Sequence, residues 1–192
     1  MLSDKLSLRQ IDALRKQASA VNNLSQYALS NPPLSRFFDR AFELIIATLD
    51  IDHIGIFKAL PAPQSLLLLA GTGWHTDLMT EWDANQLGFS PLVSTHSIIE
   101  DFRQEPDFQF SPLLRDHHIL SGMTIAIPDA ESIFGILGIY ADEPRKYSDD
   151  EITFATSIVN IIASVIQRTT MTTKSNEVET QYKTLTRLLT DY

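Results

Sequence analysis

Cysteine is absent from this sequence. Disulfides, thiolate metal sites, cysteine nucleophiles and thioether-linked cofactors are excluded together. Positive charge is scarce: 15 Lys and Arg stand against 24 Asp and Glu, for a net charge of -9. Phosphate binding needs clustered basic groups, so no nucleic-acid partner is expected. The opening stretch, MLSDKLSLRQ, carries charges where a signal peptide has its apolar segment. No apolar run approaches the roughly 20 residues a membrane helix requires, so a cytoplasmic location without membrane insertion is expected. The chain holds no GxSxG, P-loop, HExxH or glycine-rich phosphate motif. No catalytic residue is therefore assigned, and this segment is not expected to be an enzyme. Glycine and proline are missing from Ser148 to Tyr192, so nothing there interrupts a helix.

An apolar content of 44% over 192 residues suffices for one ordinary core. From Leu6 to Ala28 the apolar residues Ile11, Leu14, Ala18, Val21 and Ala28 follow helical spacing. The stripe is thin, so it either packs on its own domain or pairs with a second copy. After the break at SNPPLS, Phe37, Phe38, Ala41, Phe42, Ile45, Ile46 and Leu49 give a broad apolar face, suited to lying across a sheet. DHIGIFKAL and SLLLLAG read as a hairpin, HSIIEDF as a short strand, and SGMTIAIP with IFGILGIYA as a second hairpin. Between Thr72 and Val93 no period is clean, and a short helix is expected near Leu113. The last strand is apolar on both faces, which places it centrally, and Gly135 and Gly138 admit close neighbours. Ser148 and Glu151 form a capping box. The helix they open runs through Ile152, Ala155, Ile158, Val159, Ile162, Ala163 and Ile166. Beyond Arg168 a 4-3 rhythm of Met171, Ser175, Val178, Tyr182, Leu185, Leu189 and Tyr192 predicts a coiled-coil strand.

Three blocks carry a resemblance: LDIDHIGIFKAL, SIIEDFRQEPDFQFSPLLRDHHILSGMTIAIP and FGILGIYADEPRKYSDDEITFATSIVNIIASVI. From about Leu34 to Arg168 the chain resembles a GAF domain, the small-molecule sensor module of signalling proteins. The resemblance implies an α+β fold. A central antiparallel sheet of five or six strands has terminal helices on one face, and a ligand pocket roofed by loops and short helices on the other. The expected organisation is an N-terminal helix over residues 1–30, the sensor domain over 31–168, and a signalling helix over 169–192 leading to an output domain. That output would be a sensor kinase, a diguanylate cyclase or similar, regulated through a homodimer. A ligand-free dimerisation module is the alternative.

Pocket candidates are Trp74, Phe89, His96, Phe108, Phe110, Arg115, His118, Ser121 and Met123. The ligand itself is unknown. Adjacent His117 and His118 do not face one another, so joint metal chelation is not expected, and haem is not expected either. Arg115 either clamps an anion or pairs with Asp116 or Asp107. Covalent bilin attachment in this family needs a cysteine, which is missing. The Asn-Lys pair of cyclic-nucleotide relatives is also missing, and Asp150–Glu151 falls one residue early for their Asp-Glu. Dimer candidates are Ile11, Leu14, Ala18 and Val21 in the first helix and Val178, Tyr182, Leu185 and Leu189 in the last.

Overall fold

The computed structural model describes residues 2–61, 65–75, 81–88, 95–105, 108–130 and 132–190, with side chains described between 8 and 173. Helix α1 spans Leu2–Leu29 and α2 spans Leu34–Leu49. Strands β1 (His53–Ala59), β2 (Ser65–Thr72), β3 (Glu81–Asp83) and β4 (His96–Ile99) follow. After them come α3 (Pro112–Asp116), β5 (Ser121–Pro128), β6 (Ile133–Ala141) and α4 (Asp149–Thr190). The six strands form one sheet in the order β3-β2-β1-β6-β5-β4. Every neighbouring pair is antiparallel. As its two-sided apolar pattern requires, β6 lies at the centre, between β1 and β5.

Strand alternation divides the apolar side chains between two cores. Ile54, Ile56, Met123, Ile125, Ile127, Leu137 and Ile139 face the helices, where Phe37, Phe38, Phe42 and Ile45 of α2 and Ile158, Val159 and Ile162 of α4 cover them. Phe57, Leu66, Leu68, Ile136 and Tyr140 face the other way, under Leu87, Phe102, Leu113, Leu114 and Ile119. The expected layering of helices, sheet and lid is present. A register shift against β1 makes Leu69 the extra residue of β2, between Leu68 opposite Phe57 and Ala70 opposite Ile56.

The α4 start is capped as expected. The Ser148 amide donates to Glu151 Oε2 at 2.8 Å, and the Glu151 amide donates to Ser148 Oγ at 3.3 Å. Arg145 Nη2 adds a bond to Glu151 Oε1 at 2.6 Å. Burial alone would raise the Glu151 carboxyl, yet the Ser148 and Arg145 bonds outweigh it and hold it below its ordinary value.

The buried stripe of α1 is Gln17, Ala20, Leu24 and Ala28, rotated from the expected one. Ile11 and Leu14 stay 44% and 42% exposed, Ala18 is exposed and Val21 is half-buried. Helices α1 and α4 run parallel: Leu14 lines a cleft with Asp150 and Phe154, and Arg168 Nη2 donates to Ala28 O at 3.1 Å. The start of α1 and the end of α4 therefore overhang at opposite ends. By length and composition the Asp149–Thr173 part of α4 is long and apolar enough to cross a bilayer, which corrects the expectation that no segment is. Its apolar side is the one that covers the sheet.

Candidate functional site: the lid face of the sheet

The cross-strand register aligns three glycines on the lid-facing surface. Gly55 pairs with Gly71 on one side and with Gly138 on the other. Thr124 pairs with Gly138 and extends the row into β5. A sheet surface without side chains is a trough, and here aromatic rings occupy it. A Cβ at Gly55 would stand 2.9 Å from the Phe57 ring, one at Gly71 2.7 Å from the Trp74 ring, and one at Gly122 2.7 Å from the Tyr140 ring. The Tyr140 ring covers Gly138 as well. These contacts are closer than a side chain tolerates, so glycine is required for the rings to lie flat.

Tyr140 is fully buried, and its hydroxyl donates to Leu87 O at 3.0 Å. Burial pushes its phenol far above the ordinary range, so it acts as a neutral donor. Leu87 ends a 3-10 turn, Asn85–Leu87, closed by Gly88 in the left-handed region at φ 78°. Thr124 Oγ1 donates to Gly88 O at 3.4 Å, so two side-chain bonds dock this turn on the sheet. Trp74 follows Gly73, whose φ of 89° turns the chain back over β1. The Trp74 indole Nε1–H donates to Ile54 O at 2.8 Å, and its ring meets Tyr140 edge-on at 5.6 Å.

Three imidazoles border the trough. The His117 ring lies 5.6 Å from His53, 5.4 Å from His75 and 5.2 Å from Trp74. His117 Nδ1 bonds Leu113 O at 2.8 Å, and its Nε2 accepts from the His75 amide at 2.6 Å. His53 Nδ1 is buried without a partner. Burial, followed by neighbouring His117, holds the His53 imidazole below its ordinary value, against the pull of Asp52 and Asp142. Among the described residues no group of three or more His, Asp or Glu side chains is arranged to hold a metal ion.

The candidates from sequence scatter around this site. Trp74 is in it. Phe108 and Phe110 pack on Phe102 at 4.5 and 5.8 Å as part of the lid core. Arg115 is exposed and pairs with Asp116 at 3.4 Å. His118 is exposed, at φ 56°, where the chain leaves α3. Ser121 is buried, and its hydroxyl donates to Glu143 O at 2.7 Å. Met123 projects to the helical face. His96 is exposed on β4 and borders a cleft of about 770 Å3 whose floor includes Ile125, Ile133 and Val159, on the helical side. Phe89 lies outside the described residues, as do the side chains of Val178, Tyr182, Leu185 and Leu189. Sequence reasoning missed Phe57, His53 and the role of Tyr140 in filling the trough. The signal was the set of glycines, which line up once the two hairpins are laid antiparallel.

Comparison with known proteins gives a consistent result. The GAF domain family model matches residues 33–166. A GAF domain from a phosphoenolpyruvate-protein phosphotransferase of Coxiella burnetii superposes with a TM-score of 0.73 at 15% identity, covering 84% of this chain and 98% of that one. A domain of a putative two-component sensor histidine kinase from Sinorhizobium meliloti gives 0.60 at 20% identity, over 74% and 97%. The phycoerythrobilin-bound GAF domain of a cyanobacterial phytochrome gives 0.65 at 18%, over 81% and 96%. No curated protein matches the chain.

Proposed function

Because the chain belongs to the GAF domain family, regulatory sensor modules of signalling proteins, we propose that it senses at its lid face and signals through α1 and α4 of a homodimer. The output is an effector domain on the C-terminal side of α4, and the module works in the cytoplasm. The observation that carries this reading is the parallel pairing of α1 with α4 on the opposite side of the sheet from the trough. A change in how the rings lie on the glycine row alters β1, β2 and β6. Of these, β1 presents Ile54 and Ile56 to the helices, and β6 presents Leu137 and Ile139. A signal that favours one ring arrangement thus biases one helix arrangement, with coupling of about 1–3 kcal/mol as is usual between linked sites. Exposed Ile11 and Leu14 are an unpartnered apolar edge for the second copy.

A second reading, a dimerisation module without ligand, is favoured by the occupancy of the trough. Phe57 and Tyr140, both fully buried, already stand on the glycines. Native mass spectrometry of the purified chain separates the two. A dimer of the 21.6 kDa chain carrying a retained small molecule supports the sensor. A bare dimer that no metabolite stabilises in a thermal-shift screen supports the second reading, and a bare monomer contradicts both.

A further inference from the structure

Around His117 the chain ties together segments that are distant in sequence, at the mouth of the glycine row. We propose that His53, His75 and His117 form a proton-operated latch: neutral, it clips the end of α3 to the Trp74–His75 segment, and protonation of His117 opens that clip. Building on the sensor reading above, the proton is then an input that this module detects.

The tautomer follows from the partners. The Leu113 carbonyl only accepts, so His117 Nδ1 carries the hydrogen, at 2.8 Å. The His75 amide only donates, so Nε2 carries none and accepts at 2.6 Å. Adding a proton to Nε2 sets one N–H against another and removes the bond. The new charge also lies against two more imidazoles, with ring centres 5.6 Å away at His53 and 5.4 Å away at His75. His53 cannot relieve it, because its Nδ1 is buried without a partner. The groups of opposite sign are Asp52 and Asp142, and both bear on His53. Beside His117, Arg115 and Asp116 are paired with each other at the surface. Burial and the neighbouring His117 also hold His53 below its ordinary value, so His53 favours its neutral form beside the latch.

Release acts on Trp74 because it adjoins His75. With the His75 amide freed, Trp74 keeps its bond to Ile54 O and its ring contacts with His53 and Tyr140. The contact with His117 at 5.2 Å is the one that the new charge alters. The outcome is a His75 backbone no longer held to α3, beside the Trp74 ring that covers Gly71.

Indole emission reads this contact directly, since a protonated imidazole beside an indole quenches it. Trp82→Phe leaves Trp74 as the single tryptophan and deletes an indole N–H that is buried without a partner. In that background a titration from about pH 8 to about pH 5 should give a sigmoidal change in emission within the imidazole range. Adding His117→Gln, which keeps a donor and an acceptor without the titration, should abolish it. Emission that stays flat while far-UV circular dichroism remains native overturns the proposal, as does an unchanged transition in the Gln variant. If either variant fails to fold, the wild-type protein decides the matter by NMR. The His75 amide should lose at least about tenfold in protection as the His117 ring protonates. A ring that titrates with the His75 amide still protected refutes the latch. These readouts are local, so a working latch with no change in dimer or output would sink the sensor reading alone.

Discussion

Tyr140 fills the trough over Gly138 and Gly122 with its ring and fixes the Leu87 turn with its hydroxyl. Tyr140→Phe keeps the ring and leaves the Leu87 carbonyl unpaired, so urea denaturation should show a loss of about 1–2 kcal/mol. Tyr140→Ala should cost about 3–5 kcal/mol through the cavity. That variant should also gain binding of a small apolar aromatic such as indole, seen as a thermal shift absent in wild type. Stability should also depend on pH through His53. Its folded value lies below the 6.5 at which the unfolded chain titrates. The unfolded state therefore binds more protons in the interval between them, and stability rises with pH there. Thermal melts should be highest above pH 6.5 and fall as the pH drops below it, with the His53→Gln variant losing part of that slope. His53 could not be singled out from sequence, because its importance comes from imidazoles 22 and 64 positions further along the chain.

Elements were readable where one rule dominates. The α2 face has a 3.6-residue period, and all its expected apolar residues except Ile46, which is half-buried, are buried. The α4 start is set by two side chains three residues apart. Ser148→Ala should remove that cap at about 1 kcal/mol, lowering Tm by roughly 2–4 °C for a domain of this size. A melt shifted by less than a degree would show that Arg145 and Asp149 hold the helix start without it. Elsewhere competing demands hid the outcome. Strand β3 is three residues long and among the described residues pairs with β2 alone, too short to show alternation. In α1, Ala20, Leu24 and Ala28 are buried while Ile11 and Leu14 stay exposed, and spacing alone did not say which side of the helix meets the core. The pocket candidates scattered because loop aromatics serve the lid core as readily as a cavity, and Phe108 and Phe110 do so.

At the scale of the whole molecule, a single sheet separates a lid layer from a helical layer, and both layers share its strands. The paired change Ile11→Asp with Leu14→Asp lies on the exposed edge of α1 and touches neither core. Light scattering should report a dimer for wild type and a monomer for this variant, with an unchanged melt in dilute solution. In the proposed sensor, disturbance on the lid face reaches α1 and α4 through the strands. Hydrogen exchange by mass spectrometry on wild type and Trp74→Ala, both confirmed folded, tests it most directly. Trp74 bonds Ile54 O and lies against Gly71, Tyr140, His53 and His117, and it packs with the lid-side core rather than the helical one. The account predicts altered exchange in peptides covering residues 17–28 of α1 and 152–166 of α4. Changes confined to residues 71–75 and 111–119, with both helices exchanging as in wild type, would contradict it.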